Sequence, residues 1–95
     1  MEYRHFGNTI YLRLDPKEEI LEEIGKVAEK ENIRLAQVTG LGAINDFTAG
    51  VYNTVTKEYH SIQFQGAFEI VSLTGTVTRK DGDVYLHLHI AAGDE

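Results

Sequence analysis

The sequence of 95 residues contains no cysteine, no tryptophan and a single proline. The absence of cysteine excludes disulfide bridges, thiolate metal ligands and a cysteine nucleophile, so any bound metal must use histidine or carboxylate ligands. Long apolar runs are also absent, and the first five residues include charged side chains, which predicts neither a signal peptide nor a membrane span. We therefore expect a cytoplasmic protein with no membrane partner.

Positive charge is scarce as well. The chain has 15 acidic and 9 basic residues, which gives a formal charge of −6, and the basic residues are scattered along the sequence. Proteins that follow a nucleic-acid backbone rely on clustered lysine and arginine to displace counterions. The composition therefore disfavours DNA binding by this chain alone, although spatial clustering would alter that expectation.

What is present is ordinary globular composition, with 42% apolar and 25% charged residues. Such usage predicts neither disorder nor a disulfide scaffold, and the length suits one hydrophobic core. We expect residues 1–95 to form a single domain.

The N-terminal third of the sequence predicts a strand followed by a helix. Residues 9–14 alternate in the manner of a strand. Asp15 is a favourable N-cap, Pro16 suits the first helical position, and Glu18 stands three residues after Asp15 as in a capping box. Asn32 suits the left-handed position after a helix. The apolar residues recurring at helical spacing are Ile20, Leu21, Ile24, Val27 and Ala28.

The remainder of the chain alternates with period two and predicts a meander of strands at 34–39, 44–54, 58–65, 68–77 and 83–91. Predicted turns lie at Gly40 and Gly42, at residues 53–57, at Gly66 and at Asp81-Gly82, the last being a hairpin signal. One helix covering a sheet is the simplest burial of its apolar stripe. The predicted fold class is α+β, with one N-terminal helix packed on a strongly curved, mainly antiparallel β-sheet.

Two histidines stand out near the C-terminus. His87 and His89 share one face of a predicted strand, and their Cα atoms are expected to lie roughly 6.5–7 Å apart. Both rings can reach one metal, but a zinc site needs three or four protein ligands. Help must come from His60, His5, an acidic residue, another subunit or sequence that is not present here. The alternative is that the two histidines only line a polar strand face.

Glu69 is the second candidate. It is predicted to share a strand face with Val71 and Leu73, which would bury part of its carboxylate. Such a group either supports a metal-bound histidine by accepting its other N–H or forms a structural salt bridge. The aromatic residues of this region are predicted to be core or cross-strand pairs rather than a platform for nucleic-acid bases. They are Tyr52, Tyr59, Phe64 and Phe68.

The segment from Gly66 to Gly75, followed by His87-Leu88-His89, resembles the plant and prokaryote conserved (PPC) domain family, and the likeness extends over nearly the whole chain. The resemblance implies a helix-backed antiparallel β fold of the stand-alone prokaryotic type and assembly as a homotrimer. It also implies a divalent, zinc-like metal bound by the two histidines and by a third from a later Gly-Gly-His segment.

Two departures from the family pattern qualify what the resemblance implies. Ala67 stands where many members have arginine. The chain also lacks the Gly-Gly-His segment, so the family's C-terminal strands are expected to be missing and the ligand set incomplete.

The leading hypothesis is a homo-oligomeric binding module, with a regulatory role, whose metal site involves His87 and His89, with Glu69 as possible support. A binding role is favoured over an enzymatic one. The alternatives are a DNA-binding protein and a metal-dependent enzyme.

Overall fold

In a computed structural model of the chain, residues 1–94 are described and form five strands and one helix. The elements are β1 Glu2–Phe6, β2 Thr9–Arg13, α1 Ile20–Lys30, β3 Ala36–Asn53, β4 Glu58–Lys80 and β5 Asp83–Gly93. Strands β1 and β2 form one antiparallel sheet, and β3, β4 and β5 form a second in that order. The helix packs against antiparallel strands, which confirms the predicted α+β class.

The chain divides into two compact units, which are described separately. The helical unit consists of Met1–Ala36 and Thr76–His87, and the strand unit consists of Gln37–Gly75 and the residues from Leu88 onward. Strands β4 and β5 contribute residues to both units. No helix among residues 1–94 is long and apolar enough to cross a membrane.

The N-terminal hairpin contains a strand that the sequence analysis missed. β1 pairs with β2 so that Phe6 lies opposite Thr9, which leaves only Gly7 and Asn8 in the turn. Gly7 has φ 63°, as the first central residue of a type II′ turn requires. The Gly-Asn pair was the available signal for a two-residue hairpin.

The helix begins later than predicted. Its N-cap is Glu19, whose carboxylate accepts from the Glu22 N–H at 2.6 Å. The predicted cap, Asp15, is occupied elsewhere, because its carboxylate binds the Met1 ammonium at 2.8 Å and the Arg13 guanidinium at 3.0 Å. Pro16 therefore lies in a turn before the helix, and the predicted start there is wrong.

The end of the helix agrees with the prediction. Asn32 has φ 51° and follows the helix in the left-handed region. Its N–H donates to the Glu29 carbonyl at 3.2 Å, and the Ile33 N–H donates to the Ala28 carbonyl at 2.9 Å. This pair of bonds is a Schellman motif, which satisfies carbonyls that the last turn would leave without partners.

Two predicted interruptions of the sheet are absent. The predicted strands 34–39 and 44–54 correspond to the single strand β3, and 58–65 and 68–77 to the single strand β4. Gly42 and Gly66, with φ 149° and 139°, lie inside these strands instead of in turns. Glycine permits such a local bend without ending a strand, so the prediction of turns there is wrong.

The hairpin turn between β4 and β5 is confirmed. Asp81 and Gly82 have φ 53° and 88°, as both central residues of a type I′ turn require. The turn between β3 and β4 is held by Asn53, whose side-chain oxygen accepts from the N–H groups of Val55 and Thr56 at 2.9 and 3.1 Å. Both turns therefore have local sequence causes.

The buried apolar core is small. In residues 1–94 it consists of Val27, Ala28 and Val77 in the helical unit and Ile70 in the strand unit. Tyr52 and Tyr59 are not core, because they expose 51% and 64% of their surface. Phe64 is 38% exposed and stacks on Phe47 of β3, which is one of the predicted cross-strand pairs. The strand unit therefore buries little apolar surface of its own.

Candidate metal site and neighbouring groups

The two candidate metal ligands lie on β5, where the predicted alternation is present. Leu86 and Leu88 are half-buried, whereas Tyr85, His87 and His89 are exposed. Successive side chains of a strand point to opposite faces, so the two imidazoles leave β5 on the same side. The strand therefore presents two potential nitrogen ligands side by side.

Among residues 1–94, the two histidines are not joined by a third potential metal ligand. No group of three or more histidine or acidic side chains that could hold a metal exists among residues 1–94. His60, one of the predicted helpers, is exposed on β4, and His5 contacts Glu31 instead. Because zinc sites use three or four protein ligands, His87 and His89 fit part of a metal site and not the whole.

Glu69 differs from its predicted environment. The carboxylate is exposed, whereas the next residue, Ile70, is 8% exposed. The expected alternation fails because the half-buried face changes between Ile70 and Leu73, leaving Val71 73% exposed. The prediction of a partly buried carboxylate is wrong, while a supporting role for Glu69 beside a bound metal stays a prediction.

A cluster that the sequence analysis missed joins β1 to the end of the helix. Glu31 accepts from the Tyr3 hydroxyl at 2.9 Å and contacts the His5 ring at Nε2, and the Lys30 ammonium lies 5.6 Å from the centre of the Tyr3 ring. The Tyr3 hydrogen bond, followed by that of His5, lowers the pKa of Glu31. These partners are 26 and 28 residues from Glu31, so no local pattern could reveal them.

The N-terminal ammonium forms a second polar cluster. It binds the carboxylates of Asp15 and Glu18, each at 2.8 Å. These contacts raise the pKa of the ammonium and lower the pKa of both carboxyl groups. The cluster ties the start of β1 to the turn that precedes the helix.

The exposed arginines of the N-terminal hairpin are paired with acids. Glu2 lies 3.6 Å from the Arg4 guanidinium and 3.5 Å from that of Arg13, which also contacts Asp15. Phosphate binding requires free, clustered positive charge. This part of the surface therefore adds no strong basic patch to the acidic chain.

Solved structures similar to the chain include proteins from the following three organisms. A candidate DNA-binding protein from Bacteroides thetaiotaomicron has 32% identity and a TM-score of 0.92, over 97% of this chain and 64% of its own. A metal-containing protein from Archaeoglobus fulgidus has 31% identity and a TM-score of 0.84, and the match covers 88% of this chain and 60% of that protein. A plant- and prokaryote-conserved (PPC) protein from Pyrococcus horikoshii has 34% identity and a TM-score of 0.83, and the match covers 88% of this chain and 59% of that protein.

The chain thus spans less than two thirds of the length of each of these structures. No curated protein matches the sequence. A family model, that of the Plants and Prokaryotes Conserved (PCC) domain, matches residues 1–95. Together with the helix packed on antiparallel strands, this match means that the chain belongs to the Plants and Prokaryotes Conserved (PCC, or PPC) domain family.

Proposed function

We propose that the chain is a homo-oligomeric binding module that holds a divalent metal of the zinc class, with His87 and His89 as two of its ligands. The observation that carries this proposal is the pair of imidazoles two residues apart on the exposed side of β5. Neutral imidazole is a common zinc ligand, and a strand spacing of about 6.5–7 Å lets two rings meet one ion.

The third ligand is proposed to come from another copy of the chain or from further residues of a longer protein. The A. fulgidus relative, a metal-containing protein with 31% identity, supports a metal in this family. The absence of a three-ligand group among residues 1–94 gives the reason for an outside ligand. We also propose a trimer and a cytoplasmic location, the first from the family resemblance and the second from the cysteine-free sequence.

Binding is favoured over catalysis in this proposal. A metal-dependent hydrolase needs an open coordination position and a carboxylate or histidine placed to move a proton from the metal-bound water. Glu69 is the proposed carboxylate neighbour, but its side chain is exposed to solvent instead of being enclosed in a site that would orient it for such a task. A regulatory metal site requires only affinity, which the histidine pair begins to supply.

The test measures metal content and assembly mass together, by elemental analysis and native mass spectrometry. The wild type is expected to contain stoichiometric zinc, and His87→Ala/His89→Ala is expected to lose it. Tyr85→Phe is the matched control, because Tyr85 is exposed on the same side of β5 as the two histidines but carries no imidazole. A metal-free wild type after zinc loading, or a double variant that retains the metal, contradicts the proposal.

DNA binding is the second candidate function, because the B. thetaiotaomicron relative with 32% identity is a candidate DNA-binding protein. The formal charge of −6 and the acid-paired arginines disfavour it. A mobility shift of duplex DNA that weakens steeply between about 50 and 200 mM salt would revive this function, since counterion release has that signature. A shift that is absent even at low salt would remove it.

A further inference from the structure

The β3–β4 hairpin ends in a segment that is exposed throughout. Every residue from 50 to 67 is exposed, which includes the last residues of β3, the turn and the first ten residues of β4. We call residues 50–67 the arm. A two-stranded hairpin with no third layer is marginally stable in water, so a surface that covered the arm would stabilise it.

Side-chain contacts identify the two faces of the arm. A Cβ at Gly50 would lie 2.7 Å from atoms of the Tyr59 ring, and Gln63 donates to Asp46 at 3.1 Å, so these residues share one face, the polar face. On the other face the Phe64 ring stacks on Phe47 with centroids 5.3 Å apart. Alternation with period two separates the two sets.

The second face carries exposed apolar side chains beside His60, which alternation places on the same side as Ile62 and Phe64, and it is open. Val51 lies four residues after Phe47 on the same side of β3, and it is 74% exposed. Ile62 lies two residues before Phe64 on the same side of β4; Ile62 is 54% exposed and Phe64 is 38% exposed. Strands that alternate apolar and polar residues normally bury the apolar side and expose the polar side. Here the apolar side is exposed to water. A partner that covered it would gain about 25 cal/mol of free energy for each Å² of apolar surface buried.

A groove continues this face toward β5. Its volume is about 300 Å³, and it is lined only by apolar side chains, among them Phe47, Phe64, Phe68 and Ile90. Phe68 meets Phe47 edge to face with centroids 5.3 Å apart. Phe64 lines the groove and also belongs to the arm, so the arm and the groove form one surface.

The charge distribution indicates which partner this surface suits. Residues 47–68 contain only two formal charges, Lys57 and Glu58, which lie at the tip and cancel, so the whole net charge of −6 is carried by the rest of the chain. Two copies of an acidic protein can therefore approach through this segment without bringing their net charges together. A strongly charged partner would find no complementary charge on it.

From these observations we propose that the exposed apolar side chains of the arm, Val51 and Ile62, seat in the Phe47–Phe68 groove of a second copy of the chain. The inference deepens the proposed function, because it rests on the homo-oligomer and names the surface through which the copies meet. The groove supplies a concave apolar site, and the arm supplies apolar side chains with no charge to desolvate.

The test compares Ile62→Glu with Ser61→Glu by light scattering and native mass spectrometry across a range of concentrations. The two positions are adjacent in β4 but lie on opposite faces of the arm. Ile62→Glu is expected to weaken self-association about 100-fold or more, because a carboxylate would enter an apolar contact. Ser61→Glu is expected to stay within about threefold of the wild type, since its side chain points to solvent.

A cross-linking experiment locates the contact without a disruptive substitution. Because the chain has no cysteine, Ile62→Cys introduces a unique attachment point for a benzophenone label. The label is expected to react with a groove peptide of another copy, containing Phe47 or Ile90, whereas the label on Ser61→Cys is not. Circular dichroism of each variant verifies that it is folded.

The outcomes separate this inference from the proposed function. An oligomer that withstands Ile62→Glu, or that cross-links elsewhere, overturns the arm contact and leaves the homo-oligomer standing. A wild type that remains monomeric at about millimolar concentration overturns both the arm contact and the homo-oligomer. In that case the metal analysis of the histidine variants still judges the metal site by itself.

Discussion

The helical unit and the strand unit use different forces to keep their structure. In the helical unit, side chains far apart in sequence meet in polar clusters around Arg79, Glu31 and the Met1 ammonium. In the strand unit the polar side-chain contacts include the Asn53 turn and the Gln63–Asp46 bond, while its phenylalanines pack beside open apolar surface. The helical unit is thus held by polar contacts within the chain, whereas the strand unit keeps apolar surface exposed, where a partner could bind.

Arg79 illustrates the first kind of specification. Its guanidinium donates to the carbonyls of Ala28, Ile33 and Gly82 at 3.0–3.3 Å and to the Glu29 carboxylate at 3.1 Å. A cation at a helix C-terminus also interacts favourably with the helix dipole. One side chain of β4 therefore holds both the end of the helix and the turn before β5.

The largest expected effect comes from Arg79→Ala, which should break the helical unit selectively. Carbonyls at the helix end would lose their donor, and the side chain is only 18% exposed, so we expect a loss of about 3 kcal/mol in the free energy of unfolding. Urea denaturation measures the loss, and hydrogen exchange should accelerate over the helix. Arg34→Ala, at an exposed position, is the control and should stay within about 0.5 kcal/mol. Equal effects of both variants would contradict the role assigned to Arg79.

The next largest effect is expected in the strand unit from Gly50→Ala. The added Cβ would lie 2.5 Å from the His60 carbonyl oxygen, so β3 and β4 must separate locally, at a cost of about 2 kcal/mol. Gly40→Ala is the matched control, because its Cβ would meet only the flexible Leu73 side chain, at 3.0 Å, and should cost less than about 1 kcal/mol. Hydrogen exchange should increase in the arm and not in the helix. Faster exchange in the helix as well would mean that the two regions unfold together.

A smaller effect is expected at the helix end from Asn32→Ala, because alanine tolerates the left-handed φ of 51° less well than asparagine does. The expected loss is about 1 kcal/mol. Asn32→Gly should preserve or slightly increase stability, since glycine adopts this conformation without a steric cost. Thermal unfolding of both variants checks the order. Equal losses for alanine and glycine would indicate that the asparagine side chain matters, and not its backbone conformation.

The smallest expected effect concerns pH and the Glu31 cluster. Hydrogen bonds from Tyr3 and His5 lower the pKa of Glu31 below its ordinary value of 4.5. A lowered folded-state pKa gives stability that is present above the unfolded value and is lost as the pH falls through the folded value. Between about pH 5 and pH 3 the wild type should therefore lose stability more steeply than Glu31→Gln. Asp15 and Glu18 contribute in the same direction, so the variant should flatten the profile only in part. Parallel profiles would show that Glu31 has no share in the acid dependence.

Much of the fold could be predicted from local sequence. The Asp81-Gly82 hairpin, the helix end at Asn32 and the alternation around His87 and His89 depend on residues near in sequence. The N-terminal strand was missed although Gly7-Asn8 was a usable signal. The helix start was placed wrongly. The Asp15 carboxylate binds the Met1 ammonium, 14 residues away, and helix-cap preferences take no account of such a competing partner.

The candidate site was predictable only in part. The spacing of His87 and His89 was enough to place both on one face, because strand geometry requires it. The exposure of Glu69 was not predictable, because the half-buried face of β4 changes between Ile70 and Leu73 and such a change has no local signal here. Long strands tolerate changes of face that a strict alternation rule does not anticipate.

The sequence by itself determined the α+β class, the turns at residues 53–57 and at Asp81-Gly82, the helix end and the placement of His87 and His89 on one strand face, because these follow from local backbone preferences and side-chain periodicity. Only the tertiary structure decided that Asp15 does not cap the helix, that Arg79 binds the helix end, and that the arm leaves Val51 and Ile62 in water. The physical reason is that hydrogen-bond partners and burial depend on groups brought together across tens of residues, which no local pattern encodes.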